Sequence, residues 1–203
     1  MVTTMPRAFT EIERRQVRRQ LLDAAAREVA TVGYRRTTVA GLARAAGISK
    51  GAFYAFFDSK EALFAVLLEE TEATLRSALR DVAGRSGSSE EVLGGVLELM
   101  RSAVAEHPLL RVLADPEDSA AFFRHLPPGA LQAAREDDDR WFTALFEDLA
   151  TQGHVLAADV PILVSLPRLM FVLAQGREWL GSDFEPVTRL LVEALAQRLG
   201  RPS

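Results

Sequence analysis

The chain has 203 residues, 48% hydrophobic and 26% charged, with no cysteine. That is apolar chain enough for a folded core, and the missing cysteine excludes disulfides and thiolate metal sites. The net charge of −4 conceals a split: residues 1–60 carry eleven basic and five acidic side chains, net +6, and the remainder thirteen and 23, net −10.

A basic end on an acidic body fits an anionic partner for that end. It fits a solvated arginine-rich helix equally well, and charge alone leaves both readings open. Only Lys50 and Lys60 among the 24 basic residues are lysines. The opening "MVTTMPRAFTEIERR" lacks the apolar stretch of a signal peptide. No run is expected to reach the roughly 18 apolar residues that cross a bilayer. The expectation is a soluble, cytoplasmic protein with no membrane partner.

Taken in order, nearly every segment reads as helix. Thr10 and Glu13 are spaced as a capping box and open "EIERRQVRRQLLDAAAREVATVG". Val17, Leu21, Ala24, Ala25, Val29 and Val32 follow one helical stripe there, and Gly33 ends it. Thr37 or Thr38 caps a short helix, "VAGLARAA", which Gly47 closes. Ser49 caps a third, from Lys50 to about Phe56. Asp58 or Ser59 starts a fourth, with Asp58 and Glu61 spaced as a second capping box. That long helix, "KEALFAVLLEETEATLRSALRDVA", ends before "GRSGSS". Later helices are expected over about 90–106, 108–114, 119–126, 128–152, 159–180 and 184–199, punctuated by Pro and Gly. Pro167 lies inside the fifth of these and is expected to kink it.

Two short helices joined by a glycine turn form a helix-turn-helix, whose second helix can enter a DNA major groove. The geometry needs Val39, Leu42, Ala43 and Ala46 to pack inward. It also needs Gly47 in a backbone conformation that bulky residues resist, and Ile48 and Phe53 to pin the second helix. All are present, although such corners also occur in many other helical proteins. The surrounding residues are more specific. "TVAGLARAAGISKGAFYAFFDSKEALF", preceded by "LLDAAAREVATVGYRRT", resembles the DNA-binding domain of the TetR (tetracycline repressor) family of bacterial transcriptional regulators, over roughly residues 14–68.

The resemblance implies an all-α fold of about nine helices. A three-helix helix-turn-helix DNA-binding domain (10–70) would precede a larger helical ligand-binding and dimerisation domain (71–203). It implies a sequence-specific repressor acting as a homodimer on palindromic double-stranded DNA and released by a small-molecule effector. No cofactor, metal or catalytic residue is expected. Position by position, it places Thr37, Thr38, Ser49, Lys50, Gly51, Ala52, Tyr54, Ala55, Phe56 and Lys60 at the DNA. Arg35, Arg36 and Arg44 join them as basic side chains able to meet phosphate. Tyr54 could instead be a packing aromatic, and Arg44 could pair with an acid. Gly51 would permit close backbone approach rather than make a contact. Where the family often carries His or Tyr, this chain has Phe56, which cannot bond a phosphate. With Ala52 and Ala55 beside it, base readout by hydrogen bonds is thin, and methyl contacts and DNA shape gain weight.

Beyond the motif, the resemblance implies an effector pocket among the central helices. Its candidates are Met100, His107, Phe122, Phe123, His125, Trp141, Phe146, Met170 and Trp179, many of which would also serve as plain core. A dimer face is expected from Leu166, Met170, Gly176, Val187, Leu191 and Leu195, with intramolecular packing accounting for part of that stripe. The three histidines lack metal-ligand spacing, and "EDDD" at 136–139 reads as a solvated helix face rather than a cation site. No nucleophile elbow, phosphate loop or paired-carboxylate motif supports an enzyme. A helical protein-binding adaptor is the other alternative, against which the basic N-terminal end stands.

Overall fold

The computed structural model describes residues 10–200. Arg7, part of the basic end, lies outside the described residues. Twelve α-helices and two 3₁₀ turns follow one another, with no strand among the described residues. The all-α expectation holds.

The chain divides into two compact units between Glu69 and Glu70. In the first, α1 (Glu11–Val32) starts at the expected box: Glu13 N–H donates to Thr10 Oγ1 at 3.3 Å, and Thr10 N–H to Glu13 Oε2 at 2.8 Å. Val17, Leu21, Leu22, Ala24, Ala25 and Val29 are its buried stripe. Gly33 closes it at φ +80°. The short helices α2 (Val39–Ala45) and α3 (Lys50–Phe53) follow, and then the start of α4 (Lys60–Ala83). Phe53, Phe64, Leu21, Leu42 and Leu63 are sealed at the centre. The Tyr34 ring meets Phe64 edge-on at 5.1 Å.

The α4 start differs from the expected box. Ser59, not Asp58, caps it, with Ser59 Oγ accepting from Ala62 N–H at 3.1 Å. Glu61 is thereby released to accept from the Tyr34 hydroxyl at 2.9 Å. A hydroxyl one residue nearer the helix reaches its amides as well as a carboxylate would, and spacing alone does not tell the two apart.

The second unit holds the rest of α4, then α5 (Ser89–Glu106), α6 (Pro108–Ala114), α7 (Pro116–Phe123) and α8 (Ala130–Thr151). It ends with α9 (Val160–Leu163), α10 (Leu166–Gln175), α11 (Arg177–Leu180) and α12 (Phe184–Leu199). One face of α12, Phe184, Thr188, Val192, Ala196 and Leu199, is buried. Gly94 on α5 lets the helices meet: a β-carbon there would lie 3.4 Å from the Ala196 methyl. Leu93, Leu97, Phe146, Leu149 and Leu163 are core residues with no exposure.

The single kinked helix expected over 159–180 is instead broken after Leu163 and again at Gly176. Pro167 lies in the first turn of α10, where its missing N–H forfeits no helix bond, so the chain restarts rather than bends. This stretch also corrects the expectation that no run reaches membrane-spanning length. Ala157–Gln175 meets that test by length and composition, with a mean hydropathy of 1.7, yet only 22% of it is buried within the unit.

Candidate nucleic-acid interface

The corner between α2 and α3 is built by hydroxyl caps around one glycine. Thr38 Oγ1 accepts from Gly41 N–H at 3.1 Å and starts α2. Gly47, at φ +71°, turns the chain, and Ile48 N–H donates to Ala43 C=O at 2.9 Å. Ser49 Oγ accepts from Ala52 N–H at 3.1 Å and starts α3. Phe53 is fully buried and Phe57 nearly so, which fixes the roll of α3. Lys50, Gly51, Tyr54 and Ala55 are left exposed, with Ala52 and Phe56 partly so. The helix is one turn shorter than expected. Residues 54–56 continue it as a turn, with Phe56 N–H on Phe53 C=O at 2.9 Å.

Tyr54 is 50% exposed, its ring edge-on to Phe53 at 5.5 Å. It packs through its base and presents its hydroxyl end outward. Gly51 has room for a side chain: the nearest atom to an added β-carbon is Ser49 Oγ at 3.9 Å. Its own fold therefore does not require glycine there. Arg36 and Arg44 are exposed, Arg36 Nε donating to Val32 C=O at 2.7 Å. No ion pair involving Arg44 occurs among the described residues.

Two expected contacts are turned inward. Thr37 is 2% exposed, and its hydroxyl donates to Gly33 C=O at 2.9 Å. Lys60 Nζ donates to Tyr34 C=O at 3.0 Å and Thr37 C=O at 3.1 Å, and sits 4.0 Å from the Tyr34 ring centre. Two carbonyls and a ring face satisfy most of an ammonium, so Lys60 ties α4 to the α1–α2 connection rather than reaching for phosphate. Beside it, burial works to raise the Glu61 carboxyl. Hydrogen bonds from backbone, Tyr34 and Ser59, with the Lys60 charge, outweigh that and hold it below the usual range.

In the second unit the expected pocket residues divide, Met100, Phe146 and Met170 sharing one core cluster with Trp141 packed against it. Met100, Phe122, Phe146 and Met170 are buried, Phe123 and Trp141 half-buried, His107 and His125 exposed, and Trp179 is 93% exposed. A groove of about 870 Å³ exists, lined on α8 by Asp139, Thr143 and Glu147 and opposite by Val160, Val164 and Arg168. None of the nine candidates lines it. Large apolar type marks core and cavity wall alike, so composition could not separate them.

The dimer-face residues also divide. Leu166 and Met170 are core, while Gly176, Leu191 and Leu195 are half-buried and Val187 is 48% exposed. Of ten large apolar side chains left exposed among the described residues, eight lie between Leu156 and Leu190. Ile162, Leu169 and Val172 were missed, and Trp179 was expected in the pocket rather than at the surface. Weighing both faces of these helices, rather than their most apolar stripe, would have found them.

The acidic run at 136–139 faces solvent, as expected, and three of its carboxylates also act as clamps. Arg76 donates to Asp138 at 2.8 Å and to Asp137 at 2.9 Å, and Arg168 pairs with Asp139. The hydrogen bond and charge of Arg76 hold the Asp137 carboxyl below its usual range. Both Arg76 and Arg80 lie over the Trp141 ring, at 5.4 and 5.3 Å. Arg101, 3% exposed, forks onto Glu98 at 2.7 and 2.8 Å and reaches Glu185 at 2.6 Å. Among the described residues no cluster of three His, Cys, Asp or Glu is placed to hold a metal.

Comparison with known proteins agrees with this geometry. Residues 21–67 match the family described as bacterial regulatory proteins, tetR family. The HTH-type transcriptional repressor Rv1474c of Mycobacterium tuberculosis is 45% identical over 65 residues, 32% of this chain and 35% of that protein. The HTH-type transcriptional regulator YdgC of Bacillus subtilis is 28% identical over 120 residues, 59% of this chain and 58% of that one. The chain thus spans between about a third and three fifths of the lengths of these relatives. The structure of a TetR-family transcriptional regulator from Pectobacterium atrosepticum shares the fold, with TM-score 0.69 and 21% identity over 96% of this chain and all of that one. On its helix-turn-helix and these likenesses, residues 21–67 of the chain form the region shared by the family described as bacterial regulatory proteins, tetR family.

Proposed function

We propose that the chain is a dimeric, sequence-specific DNA-binding transcriptional regulator, a repressor released from its operator by a small molecule. The observation that carries this is the α2–α3 corner. Its apolar side chains are sealed inward, while Lys50, Gly51, Tyr54 and Ala55 of α3 and the turn after it, and Arg44 of α2, are exposed in a basic unit. A helix so presented suits a major groove, with Lys50 and the arginines binding phosphate and the small side chains meeting base edges or methyl groups. Working on DNA, it would act in the bacterial cytoplasm.

The second copy of the chain would cover the exposed apolar surface of α9–α12. Ile162, Leu169, Val172, Trp179, Val187 and Leu190 support this, being large apolar side chains left exposed within one stretch of the chain. A two-fold pair would match a palindromic operator. The effector would act by binding more tightly to an arrangement that cannot engage DNA. Helix α4 is the natural path. Its first turn is held by Lys60 in the first unit, its later turns by Arg76 and Arg80 in the second.

A gel shift with duplex from upstream of the gene itself tests the reading. The wild-type chain should retard it, and Lys50→Ala and Tyr54→Ala should lose the shift. Retention of full binding by both variants would overturn the assigned surface.

A further inference from the structure

Phe56 stands at a position where the resemblance implies a phosphate contact, and its ring cannot bond a phosphate. The structure shows what it holds instead. The Arg14 guanidinium lies over the Phe56 ring at 5.4 Å, and its Nη2 donates to Ala55 C=O at 3.1 Å. One turn along α1, Arg18 lies over the Phe57 ring at 4.9 Å. Two arginines of α1 are thus stacked on the two phenylalanines that follow α3.

We propose that Arg14 is a DNA-phosphate contact of the reading head and that Phe56 is the platform that positions it. The inference rests on the DNA-binding reading above and adds a site to it. Arg14 is exposed in spite of both holds. No carboxylate pairs with it among the described residues. A guanidinium carries five N–H donors in a fixed plane; one is used on Ala55, and the others remain able to meet a phosphate. The ring face attracts the cation without competing for those donors. The carbonyl fixes the charge beside residues 54–56, where Tyr54 stands exposed. An arginine so held has less side-chain freedom to lose on binding than a free one. The apolar Phe56 therefore does not weaken the grip on the backbone. It moves the charge to α1, which accounts for basic residues upstream of the motif.

The test is the salt dependence of binding to a duplex drawn from a random-sequence pool by the wild-type chain. Each phosphate contact adds about 0.9 to the slope of log affinity against log salt. Arg14→Gln should lower the slope by about that amount, and Arg14→Lys should keep most of it. Phe56→Leu should also lower it, although it changes no charge, and should lower it no further in an Arg14→Gln background. Arg135→Gln, which removes the same charge from the second unit, should leave it unchanged. Measured below each variant's melting transition, an unaltered slope in Arg14→Gln overturns the contact. An unaltered slope in Phe56→Leu overturns the platform. A wild-type chain that selects no duplex overturns the DNA-binding reading and this inference with it, whereas steep wild-type binding with an indifferent Arg14 overturns this inference alone.

Discussion

The two units use their polar and apolar side chains in opposite ways. In the first, hydroxyls and Lys60 turn inward onto backbone carbonyls and amides, and only Ile12 and Tyr54 remain as large exposed apolar side chains among its described residues. In the second, charges clamp helix to helix, and eight large apolar side chains face outward. Short helices bury little area each, so the first unit needs local polar locks to hold a defined surface. In the second unit seven of the eight outward apolar side chains lie on α9 to α12. The first unit is thus held in shape by polar locks, while the second leaves apolar side chains open.

The sharpest way to separate them is to damage each core or surface alone. Phe53→Ala empties the centre of the first unit and should cost about 3–5 kcal/mol there. It should abolish DNA binding while sedimentation still finds the dimer; loss of both would deny the units their independence. Val172→Glu with Leu190→Glu should do the reverse. Charges placed in the covered face would weaken association by about 3 kcal/mol or more, giving monomers in sedimentation with unchanged helix content. Dimers at wild-type affinity would show that another surface pairs.

Lys60→Met tests whether the inward lysine is a lock. It should cost about 1–2 kcal/mol of stability by thermal melting, two carbonyls losing their donor. The salt slope of DNA binding should stay at its wild-type value. A fall of about 0.9 in slope without loss of stability would restore Lys60 as a phosphate contact. Gly51→Ala should split stability from function. The fold has space for the methyl and should gain about 0.5 kcal/mol, while DNA affinity falls about tenfold because the backbone can no longer come close. Unchanged affinity would remove Gly51 from the interface.

The legible part of the molecule was the part whose chemistry is local. Thr10 with Glu13, Thr38, Ser49, Gly33 and Gly47 fall where the sequence places them, because a cap or a left-handed turn depends on a few neighbours in the chain. Lys60 and Thr37 were misread because the Tyr34, Thr37 and Gly33 carbonyls that engage them are set by how α1, α2 and α4 meet. The clamps on the run at 136–139 were not legible because Arg76 lies about sixty positions away in the chain. The pocket candidates could not be separated from core for the same reason. Arg14 over Phe56 joins residues 42 positions apart, and no spacing rule announces it.

The smallest effect expected is one of pH. Glu61 has its carboxyl held below the ordinary 4.5, so its share of stability is complete above that value and vanishes as pH falls through the lowered one. Glu61→Gln should flatten the acid limb of the first unit's melting profile, and an identical profile would deny the bond to Tyr34 any weight.

The proposed function stands or falls with double-stranded DNA binding by the surface around Lys50 and Tyr54. It is tested most directly by the affinity of the full chain for its selected duplex across a salt series, wild type against Lys50→Ala. Steep salt dependence is expected in the wild type, and a slope lower by about 0.9 in the variant. Equal slopes, or binding that salt leaves untouched, would contradict it.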